Sequence, residues 1–178
     1  MTCIVGLVAE GRIHMGADSA GVAGLDLVVR ADRKVFRNGE FVMGFTSSFR
    51  MGQLLAYSLT PPRRHADEDV FAFMVKDFVD EVRSCLKRGG FASLNNGVEE
   101  GGTFLVGHAG RLFEVAGDYQ VGECALPFAA CGCGAQVALG SLHSTEGLSP
   151  DERVLKALQA AEAFSAGVRA PFHTEVLG

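Results

Sequence analysis

Asn38-Gly39 separates two short apolar runs, Lys34-Val35-Phe36-Arg37 and Phe41-Val42-Met43-Gly44-Phe45, and this dipeptide is the strongest short signal that a chain doubles back as an antiparallel hairpin. Upstream, Thr2 to Val8 and Arg12 to Asp18 flank Ala9-Glu10-Gly11 in the same way, so antiparallel strands are predicted to fill most of the first 46 residues. Ser47 or Ser48 is then placed to cap a helix running to about Leu59, where Pro61-Pro62 ends it. A longer helix is predicted from Asp67. Its Val70, Met74, Phe78 and Val82 recur every four residues opposite Lys76, Asp80 and Arg83, and Gly89-Gly90 stops it.

The second half repeats the order. Leu94 to Gly102 is rich in turn residues and reads as a loop, and Thr103 to Gly107 with Arg111 to Val115 reads as a third hairpin across His108-Ala109-Gly110. Phe128 to Cys131 is a further strand, and a helix follows from Gly134. Ser149-Pro150-Asp151-Glu152 opens another helix with a serine cap, a proline at the first position and acids in the first turn; Val154, Leu155, Leu158 and Ala161 form its core face. Pro171 to Leu177 closes as a strand. Runs of strands alternating with runs of helices predict an α+β fold, antiparallel sheets covered by helices, rather than an alternating parallel one. Phe49, Met51, Tyr57 and Phe73 fall outside the main core stripes of their helices, and apolar residues so placed predict an interface with another copy.

At 178 residues, 48% of them hydrophobic, the chain suits one domain spanning 1–178, with a core large enough to need no disulfide or metal staple. Lys plus Arg number 16 against 21 Asp plus Glu, a net charge of −5, which excludes a generic electrostatic grip on nucleic acid or an anionic membrane. No apolar run approaches the ~18 residues of a membrane span, and Met1-Thr2-Cys3 lacks the basic start of a secretory signal; the expected location is the cytoplasm. Cys3, Cys85, Cys124, Cys131 and Cys133 are odd in number and show no paired C-x-x-C spacing, so reduced thiols are expected and a metal site is not. His14, His65, His108, His143 and His173 show no i, i+4 ligand pairing. Gly132-Cys133-Gly134 follows a strand and precedes a helix, but Val137 breaks the dinucleotide fingerprint and too little chain remains for a βαβ domain.

The chemically distinctive feature is Thr2. A small residue after the initiator methionine lets that methionine be removed, leaving a threonine whose hydroxyl is a nucleophile and whose own amine, of pKa about 7.7–8.0, is a nearby base. A three-residue loop at Ala9-Glu10-Gly11 sets Thr2 opposite Asp18; a two-residue loop turns Asp18 away. Lys34, at the start of the next hairpin, is then able to pair with Asp18 and bias the hydroxyl toward ionisation.

Thr2-Cys3-Ile4-Val5-Gly6-Leu7, Gly16-Ala17-Asp18-Ser19, Lys34-Val35-Phe36-Arg37 and Gly44-Phe45-Thr46-Ser47-Ser48 resemble the proteasome β-subunit and HslV-type N-terminal-nucleophile hydrolases. Gly132-Cys133-Gly134-Ala135 resembles that family's Gly-Ser-Gly segment, and Ala161 to Gly167 resembles its Asp-x-x-Ser-Gly segment with one alanine inserted. The resemblance implies a four-layer αββα sandwich of two antiparallel sheets flanked by helices. It also implies threonine-type peptidase activity in a homo-oligomeric ring on peptide or unfolded-protein substrates, with an ATP-dependent unfoldase as the class of partner and no cofactor. Residue by residue, Thr2 takes the nucleophile position, Asp18 and Lys34 the supporting pair, and the backbone N–H near Ser47, where that family usually has glycine, the oxyanion donor. Cys133, Glu162 and Ser165 take supporting positions. Cysteine for serine weakens a donor and glutamate for aspartate lengthens an arm, so the alternative is a non-catalytic structural or assembly subunit of the same fold.

Overall fold

The computed structural model describes residues 1–178. Strands β1 (Ile4–Ala9), β2 (Arg12–Ala17), β12 (Phe128–Cys131) and β13 (His173–Leu177) form one antiparallel sheet in the order β12-β1-β2-β13. A second antiparallel sheet has the order β11-β10-β9-β6-β5 and comprises β5 (Val35–Asn38), β6 (Phe41–Phe45), β9 (Phe104–His108), β10 (Arg111–Val115) and β11 (Val121–Glu123). Two small hairpins stand apart from both: β3 (Ala20–Ala23) with β4 (Asp26–Val29), and β7 (Ser93–Asn95) with β8 (Val98–Glu100). The helices are α1 (Phe49–Tyr57), α2 (Val70–Phe73) running through a π-helical turn (Met74–Phe78) into α3 (Val79–Arg88), α4 (Ala135–Ser144) and α5 (Pro150–Phe164). The chain is thus α+β with antiparallel sheets, as its order of elements predicts.

Strand alternation sorts the apolar side chains into three buried clusters. Cys3, just before β1, and Val5 and Leu7 on it join Phe128 and the inner faces of α4 and α5, whereas Ile4 points the other way. On β6, Phe41, Met43 and Phe45 pack with Phe73, Phe78 and Val82 of the α1–α3 group, whereas Val42 points back. The third cluster joins Ile4, Ile13 and Met15 of the first sheet to Val35, Val42 and Leu105 of the second. Gly44 permits the closest approach there, since a Cβ on it would lie 2.4 Å from the Ile4 side chain.

Several sequence expectations need correction. All three expected hairpins turn through two residues. Ala9 pairs with Arg12 across Glu10-Gly11 and His108 with Arg111 across Ala109-Gly110, both turn residues having positive φ in each case, as a type I′ turn requires. Asn38 pairs with Phe41 across Gly39-Glu40, with positive φ at Gly39 alone, so Asn38 belongs to the strand. The expected loop at Leu94 to Gly102 holds the β7–β8 hairpin over Asn96-Gly97. The long helix is capped by Asp69, whose carboxylate accepts from the Ala72 N–H at 2.8 Å, and not by Asp67. Its four-residue apolar repeat overshoots the 3.6-residue α period, and the wider π turn at Met74–Phe78 resets that drift so that Met74, Phe78 and Val82 all stay buried. Met51 and Phe73 are fully buried rather than exposed, because both pack into the cluster between the second sheet and its helices; Phe49 is half-buried, and Tyr57 alone of the four stands in solvent. Leu155 is 42% exposed and leaves the core to its neighbours Val154 and Leu158.

Candidate active site

Thr2, Asp18 and Lys34 meet at one end of the paired sheets, with 4%, 0% and 1% of their surfaces exposed. The Lys34 Nζ donates to Thr2 Oγ1 and to Asp18 Oδ1, each at 2.8 Å. The two-residue turn pairs Ile4 with Ala17 and sets Cys3, not Thr2, across from Asp18, contrary to the three-residue loop expected. The residues converge all the same, because Thr2 and Asp18 lie just beyond the ends of their strands, where the pleat no longer dictates direction, and the lysine arm spans the remainder. Asp18 is fixed by backbone: its carboxylate accepts from the N–H of Cys3 at 3.0 Å, Ala20 at 2.8 Å and Arg169 at 3.2 Å. Burial pulls the Lys34 ammonium below its usual 10.5, and the Asp18 charge opposes that pull. The neighbouring Cys3 thiol is pushed up to about 12, first by burial and then by Asp18, which keeps it protonated and inert.

The main chain of Thr2 is held by the turn between β12 and α4. Its N–H donates to Cys133 Sγ at 3.3 Å, and its carbonyl accepts from the Gly134 N–H at 3.3 Å and from the Cys133 thiol at 3.5 Å. Gly132 has φ +97°, and a Cβ on it would sit 2.2 Å from the Thr2 carbonyl oxygen, so only glycine fits that approach. Ser165, where α5 ends, donates its hydroxyl to Cys133 Sγ at 3.2 Å. Gly167 supplies the remaining wall, since a Cβ there would fall 2.5 Å from the Met1 side chain and 2.8 Å from Cys133 Sγ. The Thr2 hydroxyl also donates to the Met1 carbonyl.

Ser47 lies across the cleft with φ +64°, a left-handed conformation ordinarily left to glycine. The loop is pinned on both sides: the Thr46 N–H donates to the Thr103 carbonyl at 3.1 Å, the Ser48 N–H to the Thr46 carbonyl at 2.7 Å, and Ser47 Oγ accepts from the Thr103 N–H at 3.1 Å. The Ser47 N–H has no partner in the chain, and Thr2, Lys34 and Ser47 line one small cleft. Ser48 caps α1, accepting from the Arg50 N–H.

Of the residues singled out in the sequence, Thr2, Asp18 and Lys34 are bonded together, Cys133 and Ser165 form a relay to the Thr2 main chain, and Ser47 lines the same cleft as Thr2. Glu162 does not reach the threonine. It accepts from the Ala170 N–H at 2.8 Å and lies 4.0 Å from the Arg169 guanidinium, holding the segment whose Arg169 N–H binds Asp18. The backbone donors of Ala20 and Arg169 carry no sequence signal; Gly132 and Gly167 could have been found as glycines flanking the Cys133 and Ser165 motifs.

No protein-family model and no curated protein matches the chain, but solved structures do. Thiobacillus denitrificans BPH superimposes with a TM-score of 0.79 at 21% identity over 99% of each chain. A structure of BPH in complex with epoxomicin gives 0.78 and 21% over 99% of this chain and 100% of that one. Eukaryotic HslV from Trypanosoma brucei gives 0.69 and 16% over 98% of both chains. The Anbu Gly-1 mutant from Hyphomicrobium sp. strain MC1 gives 0.68 and 17% over 98% of this chain and 80% of that one. Such likenesses establish a shared fold.

Proposed function

We propose that the chain is a threonine-type peptidase, a proteasome-like N-terminal-nucleophile hydrolase acting through Thr2 once Met1 is removed. The single observation that carries this reading is the buried lysine bonded at 2.8 Å to both the threonine hydroxyl and an aspartate. A desolvated Lys–Asp pair is costly to maintain for structure alone, and here its free side faces a hydroxyl beside an unpaired backbone donor.

In this mechanism the freed Thr2 amine takes the hydroxyl proton as Oγ1 attacks the substrate carbonyl, and the Lys34 ammonium stabilises the developing alkoxide. Negative charge on the carbonyl oxygen is met by the Ser47 N–H. Collapse expels the amine product with the proton and leaves an acyl ester on Thr2, which water then hydrolyses. Asp18 holds and neutralises Lys34, and Cys133 and Ser165 fix the position of the Thr2 nitrogen. No cofactor enters any step.

The same reading takes the three core clusters as the interfaces of a four-layer αββα sandwich in one domain, and the assembly as a homo-oligomeric ring in the cytoplasm that encloses the site, with an ATP-dependent unfoldase as its class of partner. No helix is long and apolar enough to cross a membrane. A second reading, a non-catalytic subunit of the same fold, is favoured by the Met1 carbonyl engaging the Thr2 hydroxyl: with Met1 in place the threonine has no free amine. Intact mass with a peptide-cleavage assay separates them. Loss of one methionine together with cleavage is the expected result; retained methionine without cleavage selects the second reading.

A further inference from the structure

The β3–β4 hairpin carries apolar surface that nothing in the chain covers. It leaves the body where Ser19 donates its N–H to the Arg169 carbonyl at 2.8 Å and its hydroxyl to the Pro171 carbonyl at 2.6 Å, and the Arg30 N–H returns to the Ser19 carbonyl at 2.9 Å. Beyond these ties it stands apart from both sheets. Four of the fourteen exposed large hydrophobic residues of the chain fall within residues 25–29, and every residue of β4 is exposed. Leu25 is wholly exposed at the tip and Val28 is 63% exposed on one face, while Leu27 lies on the other face opposite Val22. Apolar exposure so concentrated marks a contact surface, where single scattered residues would not.

A matching cavity lies on the opposite flank. The hairpin's two ties lead into β13 and β5, which are edge strands of their sheets, and β12 and β11 are the edges at the far end of each. There a cavity of about 340 Å³ opens, lined by Leu112 and Glu114 of β10, Gly122 of β11, Ala129 and Ala130 of β12, and Leu139 of α4. Leu126, in the loop joining β11 to β12, adds a 54%-exposed side chain to the same flank. Glu123 at the cavity edge is paired with Arg111, and burial pushes the Glu114 carboxyl up, the mark of an apolar setting.

One copy cannot bring its own hairpin to its own cavity, because the two sit on opposite flanks of the paired sheets. Two copies can, and a knob on one flank meeting a cavity on the other is a head-to-tail contact, the kind that repeats around a closed ring. The hairpin also carries Val22, which lines the Thr2 cleft together with Lys34, so whatever steadies the hairpin steadies that wall. Resting on the reading of the chain as an assembled peptidase, we propose that the β3–β4 hairpin of one copy seats Leu25 and Val28 in the Leu112–Ala130–Leu139 cavity of a second copy, and that this contact fixes the Val22 wall of the first copy's Thr2 cleft. Each cleft is then complete only when its own hairpin is docked.

The test pairs Leu25→Asp, which spoils the knob, with Leu139→Asp, which spoils the cavity; Ala130→Asp replaces the latter if circular dichroism shows its fold disturbed. Light scattering at tens of micromolar should give each variant alone the 18.8 kDa of one chain, and an equimolar mixture twice that mass, because the mixture retains one intact knob and one intact cavity. In Met1-free Leu25→Asp, kcat/KM on a peptide should fall at least tenfold with melting unchanged. Either variant keeping the wild-type mass, a mixture that stays monomeric, or a monomeric wild type overturns the docking. A monomeric Leu25→Asp with wild-type kcat/KM overturns the coupling to the cleft. Wild-type assemblies that cleave no peptide overturn the peptidase reading and that coupling, while the masses, read without activity, still decide the docking.

Discussion

Asp18→Ala should unfold this protein more readily than Lys34→Met, although Lys34 is the group that touches the Thr2 hydroxyl. The carboxylate of Asp18 is wholly buried and accepts four hydrogen bonds, three from backbone N–H groups and one from Lys34. Its removal strands all four donors, and an unsatisfied buried group costs about 1–3 kcal/mol. Entry of water into the vacated space and loss of the lysine proton offset part of this, leaving a net cost of about 5 kcal/mol, a large share of the roughly 5–15 kcal/mol that stabilises a typical domain. Lys34→Met instead leaves the carboxylate with its three backbone donors and removes a desolvated ammonium, so the cost falls to about 2 kcal/mol, below the usual 3–5 kcal/mol for a broken buried pair. At about 2–4 °C per kcal/mol for a chain of this size, the melting temperature should drop by roughly 10–20 °C in the first variant and 4–8 °C in the second. The chain has no tryptophan, so urea unfolding followed by circular dichroism at matched protein concentration is the suitable assay. A Lys34→Met cost equal to or above that of Asp18→Ala would refute the claim that the backbone cage, and not the ion pair, holds this corner together.

Lys34→Ala should lower turnover at least ~100-fold if the cation beside Thr2 Oγ1 plays its proposed part; near-normal turnover in a peptide assay removes Lys34 from the proposed mechanism. The pH profile of kcat should be bell-shaped: the acid limb belongs to the Thr2 amine, and the basic limb falls below the ordinary lysine value of 10.5, because burial makes Lys34 lose its proton early. That basic limb should vanish in Lys34→Met. The stability sign is separate: with the folded value depressed, the unfolded chain binds more protons between that value and 10.5, so wild-type stability should rise with pH through that window relative to Lys34→Met, as urea titrations at successive pH values can read. Gly132→Ala should cost at least ~2 kcal/mol in urea unfolding and abolish cleavage, since residue 132 has φ +97° and a Cβ would strike the Thr2 carbonyl; a variant of normal stability means that this turn adapts. Light scattering at micromolar concentration should give a mass well above the 18.8 kDa of one chain, and a monomer that cleaves peptides rejects the ring.

Features written in local chemistry were legible from the sequence. Ser48 and the Ser149–Glu152 capping box start helices where expected, and Thr2, Asp18 and Lys34 meet. Register was harder. Whether a turn takes two residues or three depends on backbone dihedrals that Ala9-Glu10-Gly11 leaves open, and the structure sets Cys3 rather than Thr2 opposite Asp18. The β3–β4 hairpin is not legible in the sequence because its apolar residues do not alternate and Leu25, Val28 and Val29 are exposed to solvent. The cage around Asp18 was illegible for a plainer reason: its donors are backbone N–H groups of Cys3, Ala20 and Arg169, which every residue but proline carries.

Thr2 Oγ1 is the proposed nucleophile, and its nearest rival is the exposed thiol of Cys133, 3.3 Å from the Thr2 nitrogen. Mass analysis of the Met1-free protein, quenched in acid during turnover of a slow peptide ester and fragmented to locate the acyl group, tests this directly. The added mass is expected on Thr2, absent from Thr2→Ala and present in Cys133→Ser. An acyl group on Cys133, or turnover with Thr2 unmodified, would contradict it.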